Sequence, residues 1–284
     1  MRIFINLLLS ILLLTMSVYV RAGGENTNPF GARSAGMGNA SVMLSDIWSV
    51  NSNQAGLAGL KGMTCGFHYE NRFFVPELSL RAGAFALPTK SGTFALSFSN
   101  FGYSNYYESK AGLAYAKNLW DFLSVGIQFD YLNTYFSEYY GNKGTVAVEM
   151  GIRYVYKDNM YIGAHVFNPT RSKIAAYNDE RVPTIMKLGV GYNFSRKVLV
   201  VAEVEKDLIY KPAFKAGIEY NFMENFFLRT GVISNPGNIS FGIGYEYKGL
   251  KADIAFITHQ TLGLSPHVSL LWTFNTEDKK ESLL

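Results

Sequence analysis

The segment "VAVEMGIRYVY", residues 146–156, alternates between two kinds of side chain with a period of two. One face carries Val, Met, Ile and Tyr side chains, and the other carries Ala, Glu, Gly, Arg and Val, most of which are small or charged. Successive side chains of a β-strand point to opposite faces, whereas an α-helix repeats every ~3.6 residues. The segment therefore predicts a strand with one apolar face and one face of small and polar residues.

The same period recurs from Gly62 almost to the end of the chain, as in "FLSVGIQFDYL" (122–132) and "ISFGIGYEY" (239–247). These segments are longer than the ~5–6 residues common in soluble sheets, and they suit the ~9–11 tilted residues with which a strand crosses a bilayer. The predicted strands are 62–71, 77–88, 93–101, 109–116, 122–134, 144–156, 160–167, 184–194, 198–206, 212–222, 226–234, 239–247, 250–258 and 267–274.

A soluble β-sandwich also alternates, so composition and aromatic placement must decide between the two folds. Aromatic residues make up 15% of the chain and charged residues only 17%, against about 25% charged residues in soluble domains. Tyr and Phe gather at predicted strand ends, where the aromatic girdle of a membrane barrel lies. These girdle residues are Tyr154, Tyr156, Tyr192, Phe194, Tyr220, Phe222, Tyr245 and Tyr247.

The connections between strands are short after even-numbered strands and include longer ones after odd-numbered strands, notably 135–143, 168–183 and 259–266. Short periplasmic turns and longer outer loops are typical of outer-membrane barrels. The sequence therefore predicts an all-β fold, a transmembrane antiparallel β-barrel of about 14 strands over 62–274, surrounded by outer-membrane lipid. Its last strand ends at Phe274, which resembles the C-terminal insertion signal of such barrels, and 275–284 is predicted as a charged periplasmic tail.

The chain begins with a basic residue, an apolar run and a small-residue exit at Ala22, which predicts a signal peptide over residues 1–22. Without Arg2 and Arg21 the 26 basic residues become 24, against 22 acidic ones. This balance gives no reason to expect nucleic acid as a partner. The single Cys65 excludes an internal disulfide.

The polar face of the predicted strands points into the barrel. Two interpretations remain open: ion pairs that fill a narrow wet interior, or a polar path for a solute. Inward glycines would let the sheet bend and leave volume inside. The predicted lumenal charges and histidine are His68, Glu70, Arg81, Asp130, Glu149, Arg153, Lys187, Glu203, Glu205, Lys215, Glu219, Arg229, Glu246, Lys251 and Asp253. The inward glycines include Gly126, Gly151, Gly189, Gly191, Gly217, Gly231, Gly242 and Gly244.

Catalytic, metal and cofactor sites are not expected. No G-x-S-x-G motif or local triad pattern is present. The four histidines contain no pair with ligand spacing closer than His259 and His267, which flank the last predicted outer loop. The sequence therefore predicts a protein that is not an enzyme.

Residues 23–61 are the one sizeable predicted segment that is not strand. Fourteen strands enclose more space than side chains fill, so we expect this segment to plug the lumen. Within it 43–50 predicts a short helix and 51–54 a turn. The Gly36-Met37-Gly38 stretch is not a phosphate loop, because no strand precedes it and the third glycine is missing.

The plug segment "GARSAGMGNA", followed by Asp46 and "NQAGLA", resembles the N-terminal signature of the FadL-like outer-membrane barrels and the related PorV/PorQ family. That signature runs G-A-R-x-x-G-M-G-x-A, then Asp, then N-P-A-G-L-A, and Gln54 stands here in place of its Pro. The matched positions are Gly31, Ala32, Arg33, Gly36, Met37, Gly38, Ala40, Asp46, Asn53, Ala55, Gly56, Leu57 and Ala58.

The resemblance implies a barrel in the bacterial outer membrane with an N-terminal hatch. FadL-like members pass hydrophobic small molecules by way of a hatch that rearranges and a lateral opening in the wall, which makes such transport the leading hypothesis. PorV/PorQ-like members serve type IX protein secretion, so secretion-machinery proteins, bound through 168–183, are the alternative partners. We further expect Arg33 and Asp46 to latch the plug to lumenal charges such as Glu149 or Arg153.

Overall fold

The computed structural model describes residues 28–137, 141–173 and 181–274. The predicted signal peptide, the start of the plug segment and the predicted tail lie outside these ranges. Within them the chain forms a closed antiparallel barrel of fourteen strands, in which β1 pairs with β14, so the predicted fold is confirmed. The strands are β1 (Thr64–Asn71), β2 (Ser79–Thr89), β3 (Gly92–Tyr103), β4 (Tyr106–Trp120), β5 (Leu123–Phe136), β6 (Gly141–Tyr156), β7 (Met160–Phe167), β8 (Ile185–Ser195), β9 (Val198–Asp207), β10 (Ala213–Met223), β11 (Phe226–Ile233), β12 (Asn238–Tyr247), β13 (Leu250–His259) and β14 (Gly263–Thr273).

Two of the three long outer connections predicted from the sequence are wrong. β5 continues to Phe136 and β6 begins at Gly141, while β13 continues to His259 and β14 begins at Gly263. Backbone pairing extends there through polar residues, which the apolar period does not mark. The connection between β7 and β8 remains long. We call the end of the barrel that carries this connection the loop end, and the opposite end the turn end.

Apolar side chains cover the outside of the barrel, and the predicted aromatic girdle forms at the turn end. Phe226 packs against Tyr245 with ring centroids 4.7 Å apart, and Tyr192 packs against Phe194 at 4.8 Å. A soluble sandwich would bury its apolar faces, yet Phe194 is 68% exposed. The outward aromatic and aliphatic side chains therefore favour a lipid-facing wall.

The plug lies inside the barrel as two short helices, α1 (Ala32–Gly36) and α2 (Ser49–Ser52), followed by a 3-10 helix, Gln54–Gly59. The helix predicted over 43–50 is therefore wrong except for its last two residues, and the predicted turn lies partly within α2. The chain changes direction at Asn53, whose side chain accepts a hydrogen bond from Ala55 N. Among the residues described, no helix is long and apolar enough to cross a membrane.

Candidate functional site: the plug and the lumen wall

One part of the lumen wall meets the plug through small apolar side chains. Ile47, Trp48 and Leu57 of the plug are buried in one apolar cluster with this wall. Because alanine has a short side chain, the sheet comes close to the plug here through apolar contact. At the turn end of β4, Asn118 also donates a hydrogen bond to the Ala58 carbonyl of the plug at 3.2 Å. We call this surface the alanine side; it consists of Ala82, Ala84, Ala86, Ala95, Ala114 and Ala116 on β2, β3 and β4.

The inward faces of β6 to β13 instead carry charged groups, which we call the charged side. Arg33 of the plug donates to both carboxylate oxygens of Glu219, at 2.9 and 2.7 Å, and to Asp46 at 3.2 Å. Burial disfavours the guanidinium cation, but Glu219 and Asp46 outweigh it and raise the pKa of Arg33 above its ordinary value. Arg33 therefore pairs with a lumenal charge, Glu219, rather than with the predicted Glu149, and its role as a latch stays a prediction. Asp46 pairs with Arg33 inside the plug, so the predicted bond from Asp46 to a lumenal cation is wrong.

The carboxylate of Glu219 belongs to a longer chain of ion pairs in the wall. Arg229 donates to Glu219 at 2.6 Å and to Asp253 at 2.7 Å. A bidentate pair that is partly buried and extended in this way fixes position as well as charge. The Arg33 guanidinium is therefore held in one orientation.

A second carboxylate, Glu203, binds plug backbone directly. One of its oxygens accepts from Ser41 N at 2.8 Å and from Val42 N at 2.9 Å. Lys215 donates to Glu203 at 3.2 Å and to Glu205 at 2.7 Å, and Lys187 lies 3.8 Å from Glu205. The period of two predicts that these four side chains face the lumen, and the structure brings them together as ion pairs.

Glu149 and Arg153 hold the plug through other partners than those predicted. The Gln54 amide donates to Glu149 at 2.6 Å, and His165 lies 2.9 Å from the same carboxylate. Lys110 pairs with its other oxygen. Arg153 donates to the Met43 carbonyl at 2.8 Å. Gln54, which replaces the proline of the family signature, thus provides a bond to the wall that proline has no donor to make.

Two predicted lumenal residues lie elsewhere. Arg81 shares the outward face of β2 with Phe85 and Leu87 and is exposed, because its strand places Leu80 and Ala82 inside. Glu246 lies at the turn end, half exposed, 3.6 Å from Lys251. Both corrections concern strand ends, where an alternating pattern is weakest.

Serine hydroxyls that the sequence did not single out also bind the plug backbone. Ala32 N donates to Ser269 Oγ at 3.0 Å. Gly38 N donates to Ser240 Oγ at 2.9 Å, and that hydroxyl donates to the Gly36 carbonyl at 3.1 Å. The period places both serines on the inward face, but no sequence signal indicates which backbone groups they meet.

The inward glycines make room for the plug backbone. A Cβ at Gly231 would lie 2.2 Å from Gly38 N, and one at Gly217 would lie 2.5 Å from Met37. Gly38 itself has φ +67° and lies against the Val232 backbone, so it needs both the conformation and the size of glycine. The volume that these inward glycines were predicted to leave is thus occupied by the plug backbone. Gly244 differs, because it faces Asp253 and Arg229.

The barrel wall is closed around this plug. β2 and β3 pair without a register shift from Leu80–Phe101 to Thr89–Gly92. In the described ranges the register shifts lie near the turn end, at 118–120, 193–195 and 221–223. A cavity of about 290 Å³ lies at that end between Arg33, Arg153 and the β8–β9 turn. A second, of about 590 Å³, lies at the loop end beside Arg81, Tyr103 and Tyr107.

The barrel is similar in fold to several solved structures. No family model matches the sequence, and no curated relative matches it. The monoaromatic hydrocarbon channel CymD is 12% identical with a TM-score of 0.67, over 88% of this chain and 98% of CymD. The toluene transporter TodX of P. putida is 13% identical with the same score, over 88% and 99%. A FadL homologue of Pseudomonas aeruginosa is 12% identical with a score of 0.59, over 89% and 99%.

These similarities cover almost the whole chain of each structure, and the three are described as a channel, a transporter and a FadL homologue. The PorV/PorQ part of the resemblance is not supported by them. The chain therefore has the fold of the FadL-type outer-membrane channels.

Proposed function

We propose that this protein is a non-enzymatic channel of the bacterial outer membrane that passes hydrophobic small molecules between its plug and the alanine side. The observation that carries this proposal is the unequal attachment of the plug. Ion pairs and hydrogen bonds fix it to the charged side, while Ile47, Trp48 and Leu57 meet the alanine side through apolar contact alone. The fold shared with CymD and TodX, which are described as a hydrocarbon channel and a toluene transporter, supports the same solute class.

The energetics favour an apolar solute on that side. Separating the plug from the alanine side exposes apolar surface, at roughly 25 cal/mol per Å², and an apolar solute covers it again. Separating it from the charged side breaks buried ion pairs, each of which costs about 3–5 kcal/mol when one partner is lost. A small shift of the plug away from the alanine side is therefore the less costly route.

The test is saturable binding and passage of a hydrophobic solute. Purified barrel in detergent is titrated with toluene and with a long-chain fatty acid, and bound ligand is detected by native mass spectrometry. Uptake is then measured in vesicles whose outer leaflet is lipopolysaccharide, which resists hydrophobic solutes. Absence of saturable binding and of uptake for both probes would end the proposal.

A matched pair of variants locates the route. Ala114 is buried on the inward face of β4, whereas Ala111, three residues away, is exposed on its outer face. We expect Ala114→Leu to reduce uptake several-fold, because the larger side chain takes up room that a solute would need where wall and plug are already in contact. Ala111→Leu should leave uptake unchanged, since its side chain points into lipid. Equal uptake in the two variants would place the route elsewhere.

A further inference from the structure

Two histidines and a glutamate meet at the seam that closes the barrel. His68 and Glu70 lie on β1 and His267 on β14, where Glu70 and His267 are directly paired. One ligand atom of each residue lies within 4.8 Å of the others, and all three side chains are buried. Imidazole nitrogens and a carboxylate oxygen are ligands that divalent transition metals prefer.

The histidines of this seam cluster lack hydrogen-bond partners. Within the described ranges, Nδ1 and Nε2 of both His68 and His267 are buried without one. Buried polar groups in proteins are almost always hydrogen-bonded, so four orphaned nitrogens within one cluster require an explanation. A bound cation would take one nitrogen from each ring and thereby satisfy half of them.

The surroundings of the cluster suit a metal site. The plug residues Phe30 and Trp48 pack on the His68 ring, with centroids 6.2 and 5.8 Å away, and shield it from water. Arg72 is the neighbouring cation; its Nε donates to Oε1 of Glu70 at 2.7 Å. A metal would share this carboxylate with Arg72, which orients the glutamate as carboxylate ligands are commonly oriented by a second hydrogen bond.

We propose that His68, Glu70 and His267 bind one divalent transition-metal ion, with zinc as the best match to a His₂Glu ligand set. Such sets usually leave a fourth position for water or another ligand. Tetrahedral zinc holds neighbouring ligand atoms about 3.4 Å apart, so the three side chains close by roughly 1 Å on binding. The ion joins the first and last strands beneath the plug residues Phe30 and Trp48.

The experiment measures metal binding by the purified full-length barrel in detergent, carrying an affinity tag without histidine and stripped with a chelator. Zinc chloride is titrated calorimetrically, and cobalt is titrated in parallel because four-coordinate cobalt gives visible absorption bands. We expect about one zinc per chain and cobalt bands typical of nitrogen and oxygen ligands. A native barrel that binds no zinc, or binds it without cobalt bands of this type, overturns the proposal.

His68→Gln and His267→Gln each remove one ligand while keeping a polar side chain. Loss of a residue that only hydrogen-bonds to a metal ligand weakens metal binding by about 10–100-fold. Loss of a ligand itself should therefore weaken it by at least roughly a hundredfold. His259→Gln is the matched control, since His259 lies at the end of β13 and its Nδ1 accepts from Thr261 N and Leu262 N. Zinc affinity equal to the native value in both ligand variants refutes the site.

A third variant keeps the test decisive if removal of a histidine prevents folding. Glu70→Gln retains both imidazoles and removes only the carboxylate, and heat-modifiability on gels reports whether each barrel has folded. Folded Glu70→Gln with weakened zinc binding supports the site, and folded Glu70→Gln with native zinc binding overturns it. Neither outcome depends on whether the barrel transports a hydrophobic solute.

Discussion

The two sides of the lumen hold the same plug by different forces. On the charged side, Arg33, Gln54 and the backbone at Ser41 each bind a wall carboxylate through hydrogen bonds of 2.6–2.9 Å. On the alanine side, Ile47 and Leu57 are buried against small apolar residues. Hydrogen bonds to ionised groups depend on direction and distance, whereas apolar contact depends mainly on area. The plug is therefore fixed in register mainly by the charged side, whereas the alanine side covers it chiefly through apolar contact.

For the proposed transport, this difference would allow a plug to be both held in register and displaced on one side. A wall charged on all sides would need several ion pairs to break before the plug moved. An apolar wall on all sides would not determine the plug's position, because apolar contact is non-directional. In the proposed transport, the alanine side would open while the charged side stays bound.

The largest expected effect comes from reversing the latch charge on the charged side. Arg33→Glu places a carboxylate beside Glu219 and Asp46, where the arginine now lies 2.7 and 3.2 Å away. Loss of one partner of a buried ion pair costs about 3–5 kcal/mol, so the plug should detach from β10. We expect liposomes that contain this variant to leak a small dye that the native barrel retains.

Lys61→Glu is the matched control for that reversal. Lys61 is the last residue of the plug segment and is exposed, so the same change of charge should leave dye retention and thermal stability unchanged. Dye retention by Arg33→Glu liposomes equal to that of native liposomes would show that the pair with Glu219 does not hold the plug.

A smaller effect is expected from the glycines that receive the plug. In Gly231→Ala the new Cβ would lie 2.2 Å from Gly38 N, in rigid backbone, and overpacking of this kind costs about 1–3 kcal/mol. The unfolding temperature should fall relative to native. Gly83→Ala is the control, since its nearest neighbour would be 3.8 Å away and both changes remove the same backbone freedom. Equal unfolding temperatures for the two variants would argue against a tight fit.

The strands were predictable because, in a barrel whose outer face contacts lipid, apolar side chains alternate with small or polar ones along each strand. All fourteen appear within a few residues of their predicted positions. The charged face of β10, with Lys215 and Glu219, was predicted for the same reason. The prediction for Arg81 is wrong because it lies in the alternating stretch 80–87 on the outward face, with Phe85 and Leu87. A charged side chain near the loop end can lie outside in water as readily as inside.

The partners within the lumen were not predictable. The latch required Arg33 to meet a residue 186 positions away, Glu219, and several other carboxylates have the same chemistry and spacing. The sequence predicts His267 as the first residue of β14, flanking the last outer loop, and gives it no partner. The structure instead places it inside the strand next to His68 on β1, which is an adjacency that arises only when the barrel closes.

The smallest expected effect tests the alanine side itself, and it rests on the proposed transport. Ala84 on β2 is paired with Ser97 on β3, and both side chains point into the lumen. In Ala84→Ser the new hydroxyl can hydrogen-bond across the strands to Ser97, a pair that changes stability by about 1 kcal/mol or less. The new hydroxyl should raise the free-energy barrier to passage of an apolar solute by a similar amount, which corresponds to roughly a two- to fivefold slower uptake.

The reverse change, Ser97→Ala, alters the same cross-strand pair by removing a hydroxyl, and uptake should then be equal to native or faster. Uptake of the same fatty acid in lipopolysaccharide-coated vesicles measures both variants. If Ala84→Ser and Ser97→Ala shift uptake in the same direction, polarity of the alanine side does not control passage. If the two variants shift uptake in opposite directions while their unfolding temperatures stay equal, the solute passes over this wall. A loss of stability would instead change uptake and unfolding temperature together.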